Sequence, residues 1–378
     1  MLDRYLTSRL VPLPHILTIE ITSCCNLDCI MCPRTAGHVN TPPNRVISMD
    51  VIRRLEPCLR AVDGADVSGL WGEAFLHPDL YLDILRLLKS RHIGVRTVSN
   101  GTRITEELAE GIVSLGLDSL EVSVDAARPA TYRRIRRGGE LEQVLQGIRE
   151  IQRRKERAGR RVPVIKLLFL GMEDTIEELP ELVRLAGGLG VGTVVLQAMG
   201  EYEAVRGKSV AAHHRALGRR WLREAEAVAR GLGVSLELFP PDHLSEGSTG
   251  PAGASGEISV ARTKDCFFPW DRAVITASGD VLPCCAAPEP FGSLCAQPFE
   301  EIWYGGAYRR LRESLLSGDL PLMCRSCTGQ AWRRIGSCDG VRAVARLSRI
   351  RARQALRGSR TLRKAREALR RQGASTLR

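Results

Sequence analysis

An α/β fold is predicted for this 378-residue chain: a partial (β/α)6 barrel of TIM type, followed by a small cysteine-rich module of hairpin and helix. Three observations predict it. Short β-branched runs alternate about six times with segments of helical periodicity over the first 200 residues, the pattern of a parallel sheet with helices outside it. Polar Gly-, Asn- and Asp-containing stretches follow several of those runs, and in such barrels ligands gather at the carboxyl ends of the strands. Cysteines fall into two separated sets, one after the first run and one beyond residue 263.

Taken in order, Leu17–Ile21 is the first strand, with β-branched Thr18, Ile19 and Ile21. It leads into Cys25-Asn-Leu-Asp-Cys29-Ile-Met-Cys32. Further strands are expected at Val67–Leu70, Val95–Ser99, Leu120–Val124, Val164–Leu170 and Thr193–Leu196, and helices at 50–60, 78–91, 105–115, 141–157 and 175–189. The barrel then occupies 14–200, after an extension over 1–13. Residues 201–262 connect the barrel to the cysteine-rich module, with a helix over His213–Gly231, another strand over Val234–Phe239 and a Gly/Ser/Pro-rich loop over Ser245–Gly256. His213 and His214, at a helix start, read as surface residues. The cysteine-rich module spans 263–340, and 341–378 is a basic helical tail.

The Cx3Cx2C triplet carries the chemistry. A cuboidal iron–sulfur cluster takes four thiolates, one per iron, so Cys25, Cys29 and Cys32 leave one iron open to a substrate or cofactor. Zinc with a fourth ligand such as His38 is the alternative, although zinc modules usually pair their ligands as two CxxC knuckles.

With the strand-end motifs added, the chain resembles the radical S-adenosylmethionine (SAM) enzymes. The resemblance implies that the open iron chelates SAM and that one-electron cleavage yields a 5′-deoxyadenosyl radical. Trp71-Gly72-Glu73-Ala74 resembles the family's Gly-Glu-Pro motif, with Ala74 replacing the proline. Gly72 then brings backbone close to a ligand, and Glu73 accepts from the SAM ammonium. Ser99-Asn100-Gly101 matches the strand-end Asn-Gly facing ribose and carboxylate, and Ser123-Val124-Asp125 is a further polar strand end. In Tyr132–Gly139 the family directs an arginine at the SAM carboxylate; Arg136 matches, with Arg137 its neighbour. Without that context, Asn-Gly is ordinarily a turn and an arginine run a solvated face.

Cys266, Cys284, Cys324 and Cys327, with Gly279 at a hairpin turn, resemble the auxiliary-cluster extension known as SPASM or, in its shortened form, twitch. This implies one auxiliary [4Fe–4S] cluster with no open iron, suited to carrying an electron. Cys285 is the alternative to Cys284, and a zinc ribbon is the alternative to the cluster. Only Cys338 follows Cys327, so a second auxiliary cluster is not expected. Cys24, Cys58 and Cys295 have no partner at ligand spacing and read as buried small apolar residues or incidental thiols.

The one-cluster arrangement resembles radical SAM dehydrogenases of aminocyclitols. It implies dehydrogenation of a sugar or aminocyclitol alcohol in specialised, antibiotic-type metabolism, with a flavodoxin or ferredoxin as reductant. Epimerisation at a sugar carbon, with a thiol such as Cys338 as hydrogen donor, and maturation of a ribosomal peptide are the alternatives. A non-catalytic iron–sulfur carrier or RNA-binding factor fits poorly, because carriers are small and fully ligated.

The net charge of +12 belongs to the tail: residues 341–378 hold twelve Arg and one Lys against Glu367, and the rest of the chain balances. Contact with RNA, anionic lipid or an acidic partner is therefore confined to the tail. Arginine outnumbers lysine 49 to 6 overall, which favours a solvated helix instead. With no apolar h-region before the first strand and cysteines in cluster-type sets, a reducing cytoplasm is expected.

Overall fold

The computed structural model describes residues 11–37, 42–201, 203–240, 243–244, 266 and 268–325. His38, the 245–256 loop, Cys327, Cys338 and the basic tail lie outside the described residues.

The strands are β1 (Ile16–Glu20), β2 (Asp28–Cys29), β3 (Gly64–Ser68), β4 (Gly94–Ser99), β5 (Ser119–Ser123), β6 (Arg136–Arg137), β7 (Val164–Leu170), β8 (Thr193–Gln197), β9 (Ser235–Phe239), β10 (Arg272–Ile275), β11 (Asp280–Leu282) and β12 (Gly292–Ser293). Ten of them form one sheet in the order β12-β11-β10-β1-β3-β4-β5-β7-β8-β9, and β2 and β6 pair separately. The six central strands run parallel, in chain order, as the alternation predicts. The sheet extends past them on both sides. β9 adds in parallel to β8, and β10 adds in parallel to β1 with Ile16 opposite Arg272 and Ile19 opposite Ile275. The cysteine-rich module therefore continues the barrel's own sheet, through β10 and the antiparallel β11 and β12.

The helices are α1 (Met49–Arg53), α2 (Glu56–Leu59), α3 (Pro78–Ser90), α4 (Glu106–Leu115), α5 (Pro129–Ile135), α6 (Leu141–Arg157), α7 (Leu179–Gly188), α8 (Arg215–Leu232), α9 (Phe268–Asp271), α10 (Phe299–Trp303), α11 (Gly306–Ser317) and α12 (Leu322–Arg325). Local chemistry sets their ends. Thr105 Oγ1 accepts the Leu108 amide at 3.2 Å to start α4, and Gly116, at φ 75°, ends it, a left-handed position that glycine takes without strain. The helix expected over 50–60 is two short helices, because Pro57 occupies the first turn of α2 and its ring has no amide to continue α1. Pro180 likewise restricts the helix expected over 175–189 to Leu179–Gly188, behind a 3-10 turn at Ile176–Glu178.

The core lies between sheet and helices. Leu17, Ile19, Val67, Val122, Phe169 and Val194 from the strands are buried. In α6 the buried Leu141, Val144, Leu145, Ile148 and Ile151 form one apolar stripe, at the spacing an amphipathic helix needs to cover a sheet. No helix among the described residues is long and apolar enough to cross a membrane.

Candidate active site at the strand ends

The cysteine triplet is built from the end of β1 outward. Its loop is held on three sides. Cys29 and Asp28 pair antiparallel with Arg136 and Arg137, and the Ile30 amide donates to Ile135 O at 3.0 Å. Arg34 Nη2 donates to Leu27 O at 2.6 Å and to Asp28 Oδ1 at 3.0 Å. From the third side, the Glu73 amide donates to Cys24 O at 2.7 Å. A Cβ on Gly72 would stand 2.1 Å from Thr22 O and 2.5 Å from Cys24 O. The close approach for which Gly72 is needed is therefore to the cysteine loop's own backbone, where a ligand was expected.

The remaining predicted residues gather at the same end of the sheet. Asn100 Nδ2 donates to Asn26 Oδ1 at 3.1 Å and stands 3.9 Å from Cys25 Sγ. Its Oδ1 accepts from the Thr102 amide and hydroxyl at 2.9 and 2.7 Å. Glu73, 2 % exposed, takes the Phe75 amide (3.1 Å) and Ser99 Oγ (2.8 Å) on Oε1 and the Asn100 amide (2.7 Å) on Oε2. Burial raises its pKa, with the Asn100 and Phe75 amides opposing. Its carboxylate thus ties the loop after β3 to the end of β4, a bracing use that the motif reading did not include. Ser123 is half-buried at the end of β5.

Asp125 is buried with φ 61°, an uncommon backbone state for a residue other than glycine. That turn aims Oδ1 at the Leu170 amide (2.7 Å) and Oδ2 at the Arg136 guanidinium, with Nε at 2.9 Å and Nη2 in a short contact. Arg136 Nη1 stands 3.9 Å from Cys29 Sγ. Burial works against the charge on Arg136, but Asp125 and then Cys29 outweigh it and hold its pKa above the ordinary range. Arg136, matched by pattern to a SAM carboxylate, has Asp125 as its carboxylate here. Arg137, the neighbouring choice, is exposed.

The donor set suits a cluster. The three thiols are half-buried on one loop, and a cuboidal cluster places each of its thiolates on a different iron. Among the described residues, no three His, Cys, Asp or Glu side chains converge as ligands of a single metal ion. Burial pushes Cys29 up to about 11, with Arg136 opposing, and burial also raises Cys25. Coordination to iron deprotonates such thiols outright.

Three contributors were not singled out from the sequence. Asn26 Nδ2 donates to Thr102 Oγ1 at 2.9 Å, closing the Asn26–Asn100–Thr102 network. The Tyr132 hydroxyl is buried with no partner among the described residues, and burial pushes its pKa up to about 12, Arg136 opposing. Glu20, fully buried at the end of β1, accepts the Ala277 amide at 3.0 Å and the Trp71 amide at 3.4 Å. It thereby links the β1 end to both the motif loop and the β10–β11 turn. Its only signal in sequence is a lone carboxylate in an apolar strand.

Of the second cysteine set, Cys266, Cys284 and Cys324 are described and half-buried. Cys266 precedes α9, Cys284 follows β11, Cys324 lies in α12, and Cys285 is exposed. His213 and His214, expected on the surface, bond Glu201 (2.9 Å) and the Gly207 carbonyl (2.8 Å).

Residues 19–186 match the radical SAM superfamily, and residues 266–328 match the SPASM iron–sulfur cluster-binding domain. An AdoMet-dependent heme synthase of Methanosarcina barkeri is 25% identical over 338 residues, which cover 85% of this chain and 93% of that protein. A GTP 3',8-cyclase of Limosilactobacillus fermentum is 36% identical over 133 residues, spanning 34% of this chain and 39% of the cyclase. Streptococcus suis SuiB bound to S-adenosylmethionine superposes with a TM-score of 0.58 at 16% identity, covering 79% of this chain and 68% of SuiB, a likeness of fold.

Proposed function

We propose that this chain, a radical SAM enzyme built from a radical SAM domain and a SPASM domain, carries out a two-electron oxidation of a small-molecule alcohol of the sugar or aminocyclitol class. Its cofactors are a SAM-binding [4Fe–4S] cluster, SAM and auxiliary iron–sulfur chemistry; together they supply a 5′-deoxyadenosyl radical and a second redox site. In our reading Cys25, Cys29 and Cys32 hold the first cluster. Cys266, Cys284, Cys324 and Cys327 hold one auxiliary cluster, Cys284 being preferred to Cys285 because it is the less exposed. Asn100 and Arg136 fix the cysteine loop against the strand ends where SAM binds, and Gly72, Glu73, Ser99, Ser123 and Asp125 shape that end of the sheet.

The balance of the reaction is simple. With a cluster held by Cys25, Cys29 and Cys32, one electron from a reductant such as flavodoxin or ferredoxin would cleave SAM, releasing methionine and supplying the deoxyadenosyl radical. The carbinol carbon would give that radical a hydrogen atom, forming 5′-deoxyadenosine. The substrate would then lose its hydroxyl proton to solvent and one electron to the auxiliary site held by Cys266, Cys284, Cys324 and Cys327, leaving a ketone.

The observation that carries this reading is the continuity of the sheet. β10, at the head of the second cysteine module, pairs directly with β1, whose far end enters the first cysteine loop, and Glu20 fastens the junction. Two thiol sets on one rigid support favour electron traffic between them. The full-length likeness to a protein named for making heme supports a small-molecule substrate.

The test uses reconstituted, reduced enzyme with SAM and a panel of sugar and aminocyclitol alcohols in deuterated water. Ketone and 5′-deoxyadenosine should form in equal amounts, with no deuterium at the reacting carbon. Cys284→Ala should stop ketone formation and spare SAM cleavage. A product of unchanged oxidation level carrying one deuterium would establish epimerisation instead.

A further inference from the structure

Arg312 lies on α11 and is 1 % exposed, yet among the described residues it forms no ion pair. Its Nε donates to Pro269 O at 2.8 Å and its Nη1 to Trp303 O at 3.0 Å. The guanidinium carbon sits 4.6 Å from the Trp303 ring centre and 5.1 Å from that of Tyr308. Nη2 is buried and has no hydrogen-bond partner among the described residues. Burial pushes the pKa down to about 10, with Tyr308 and Tyr304 opposing, so the group stays charged at neutral pH.

A buried, unpaired cation is among the more costly features a fold can hold. Two carbonyls and two aromatic faces offset part of that cost, and the orphaned Nη2 marks what is missing. The surroundings say where the missing negative charge belongs. Pro269 stands three residues past Cys266. The Tyr308 hydroxyl donates to Leu282 O at 3.3 Å, two residues before Cys284, and Cys284 acts electrostatically on that phenol. Arg312 is therefore one aromatic ring away from the hairpin that presents an auxiliary-cluster thiol. A cluster held by four thiolates is negatively charged and becomes more so on reduction, and its potential follows net charge and local hydrogen bonding.

We propose that Arg312 is the buried counter-charge of the auxiliary cluster and raises its reduction potential, so that this site takes up the substrate's second electron. The electron-accepting part rests on the oxidation proposed above; the electrostatic part stands without it. Arg312 is a positioning residue in this sense: it acts on the substrate only through the cluster.

The experiment is a potentiometric titration of the reconstituted full-length enzyme followed by electron paramagnetic resonance. The auxiliary signal is the one that SAM addition leaves unmoved. Arg312→Gln and Arg312→Met, which remove the charge, should lower the auxiliary potential by enough to change the reduced-to-oxidised ratio roughly tenfold at fixed potential, about 59 mV for a one-electron couple. Arg312→Lys should keep the wild-type value. Tyr304→Glu, which places a negative charge at a half-buried position that acts electrostatically on Arg312, should lower it with Arg312 in place. An unchanged potential in Tyr304→Glu and in whichever neutral variant keeps its iron overturns the proposal, as does an equal shift in the Lys and Met variants. Iron content and ketone yield, measured on the same samples, report separately on the proposed reaction.

Discussion

Arg136, beside the amino-terminal cysteine loop, meets a carboxylate; Arg312, in the carboxyl-terminal module, meets only carbonyl oxygens and aromatic rings among the described residues. Both guanidinium groups are buried, so the difference is one of compensation. Asp125 is turned to φ 61° and anchored by the Leu170 amide so as to neutralise Arg136. The first thiol set thus gains a nearby N–H donor without gaining net charge. The second region keeps its positive charge. In iron–sulfur sites net charge and hydrogen bonds to sulfur set the potential, so clusters held as proposed by the two regions would be poised differently by side chains that resemble one another. On that proposal the neutral site suits an electron donor to SAM, and the positive one an acceptor.

The largest expected effect separates the two arginines by stability. Asp125→Asn keeps an acceptor for Leu170 but strands Arg136 as a buried charge, which should cost about 3–5 kcal/mol. Arg312→Met deletes a charge that has no counter-ion among the described residues and should change stability by about 1 kcal/mol or less. Denaturant unfolding of the iron-free chain, followed by tryptophan fluorescence, measures both. Equal losses would mean that Arg312 is as fully compensated as Arg136, and the contrast would fail.

A middle-sized effect sharpens the amino-terminal side. Gly72→Ala forces a methyl group against the Thr22 and Cys24 carbonyls, backbone atoms that cannot swing away, for an expected loss of about 1–3 kcal/mol. Iron content should fall from about eight to about four per chain, the auxiliary site keeping its share. Gly188→Ala, where a Cβ meets nothing within 4 Å, is the neutral control. A Gly72→Ala protein with full iron would show that the cysteine loop is not shaped by this contact.

The smallest effect probes the carboxyl-terminal side. Tyr308→Phe keeps the ring over Arg312 and removes only the hydroxyl that donates to Leu282 O, an expected loss of about 0.5–1.5 kcal/mol. The auxiliary potential should hardly move. A large shift would transfer the electrostatic role from the guanidinium to the phenol.

The six central strands were legible because runs such as Val164–Leu170 are rich in apolar residues, with Ile165, Leu167, Leu168 and Phe169 buried. The position of β10 was not legible. Arg272–Ile275 reads as a short strand, but its pairing with β1 depends on register between segments far apart in sequence. Proline split two expected helices, and α5 is too short for its periodicity to register. At the site, the cysteine spacing and the strand-end motifs picked out residues that the fold gathers at one end of the sheet. They did not show which way Glu73 and Arg136 point, because that depends on partners contributed by other strands. Glu20 and Arg312 carry no motif at all; only burial sets them apart from the other charged residues in the chain.

The parallel pairing of β1 with β10 has a consequence during synthesis on the ribosome. β1 waits for a neighbour that is translated about 250 residues later, a delay of roughly 10–50 s at ordinary elongation rates. Until then one edge of Ile16–Glu20 is an unpaired, apolar hydrogen-bonding template, and the cysteine loop hangs from its end. The nascent chain is therefore exposed to misassociation at the very segment proposed to receive iron. Slow codons or chaperone capture after residue 20 would act on folding yield and iron loading together.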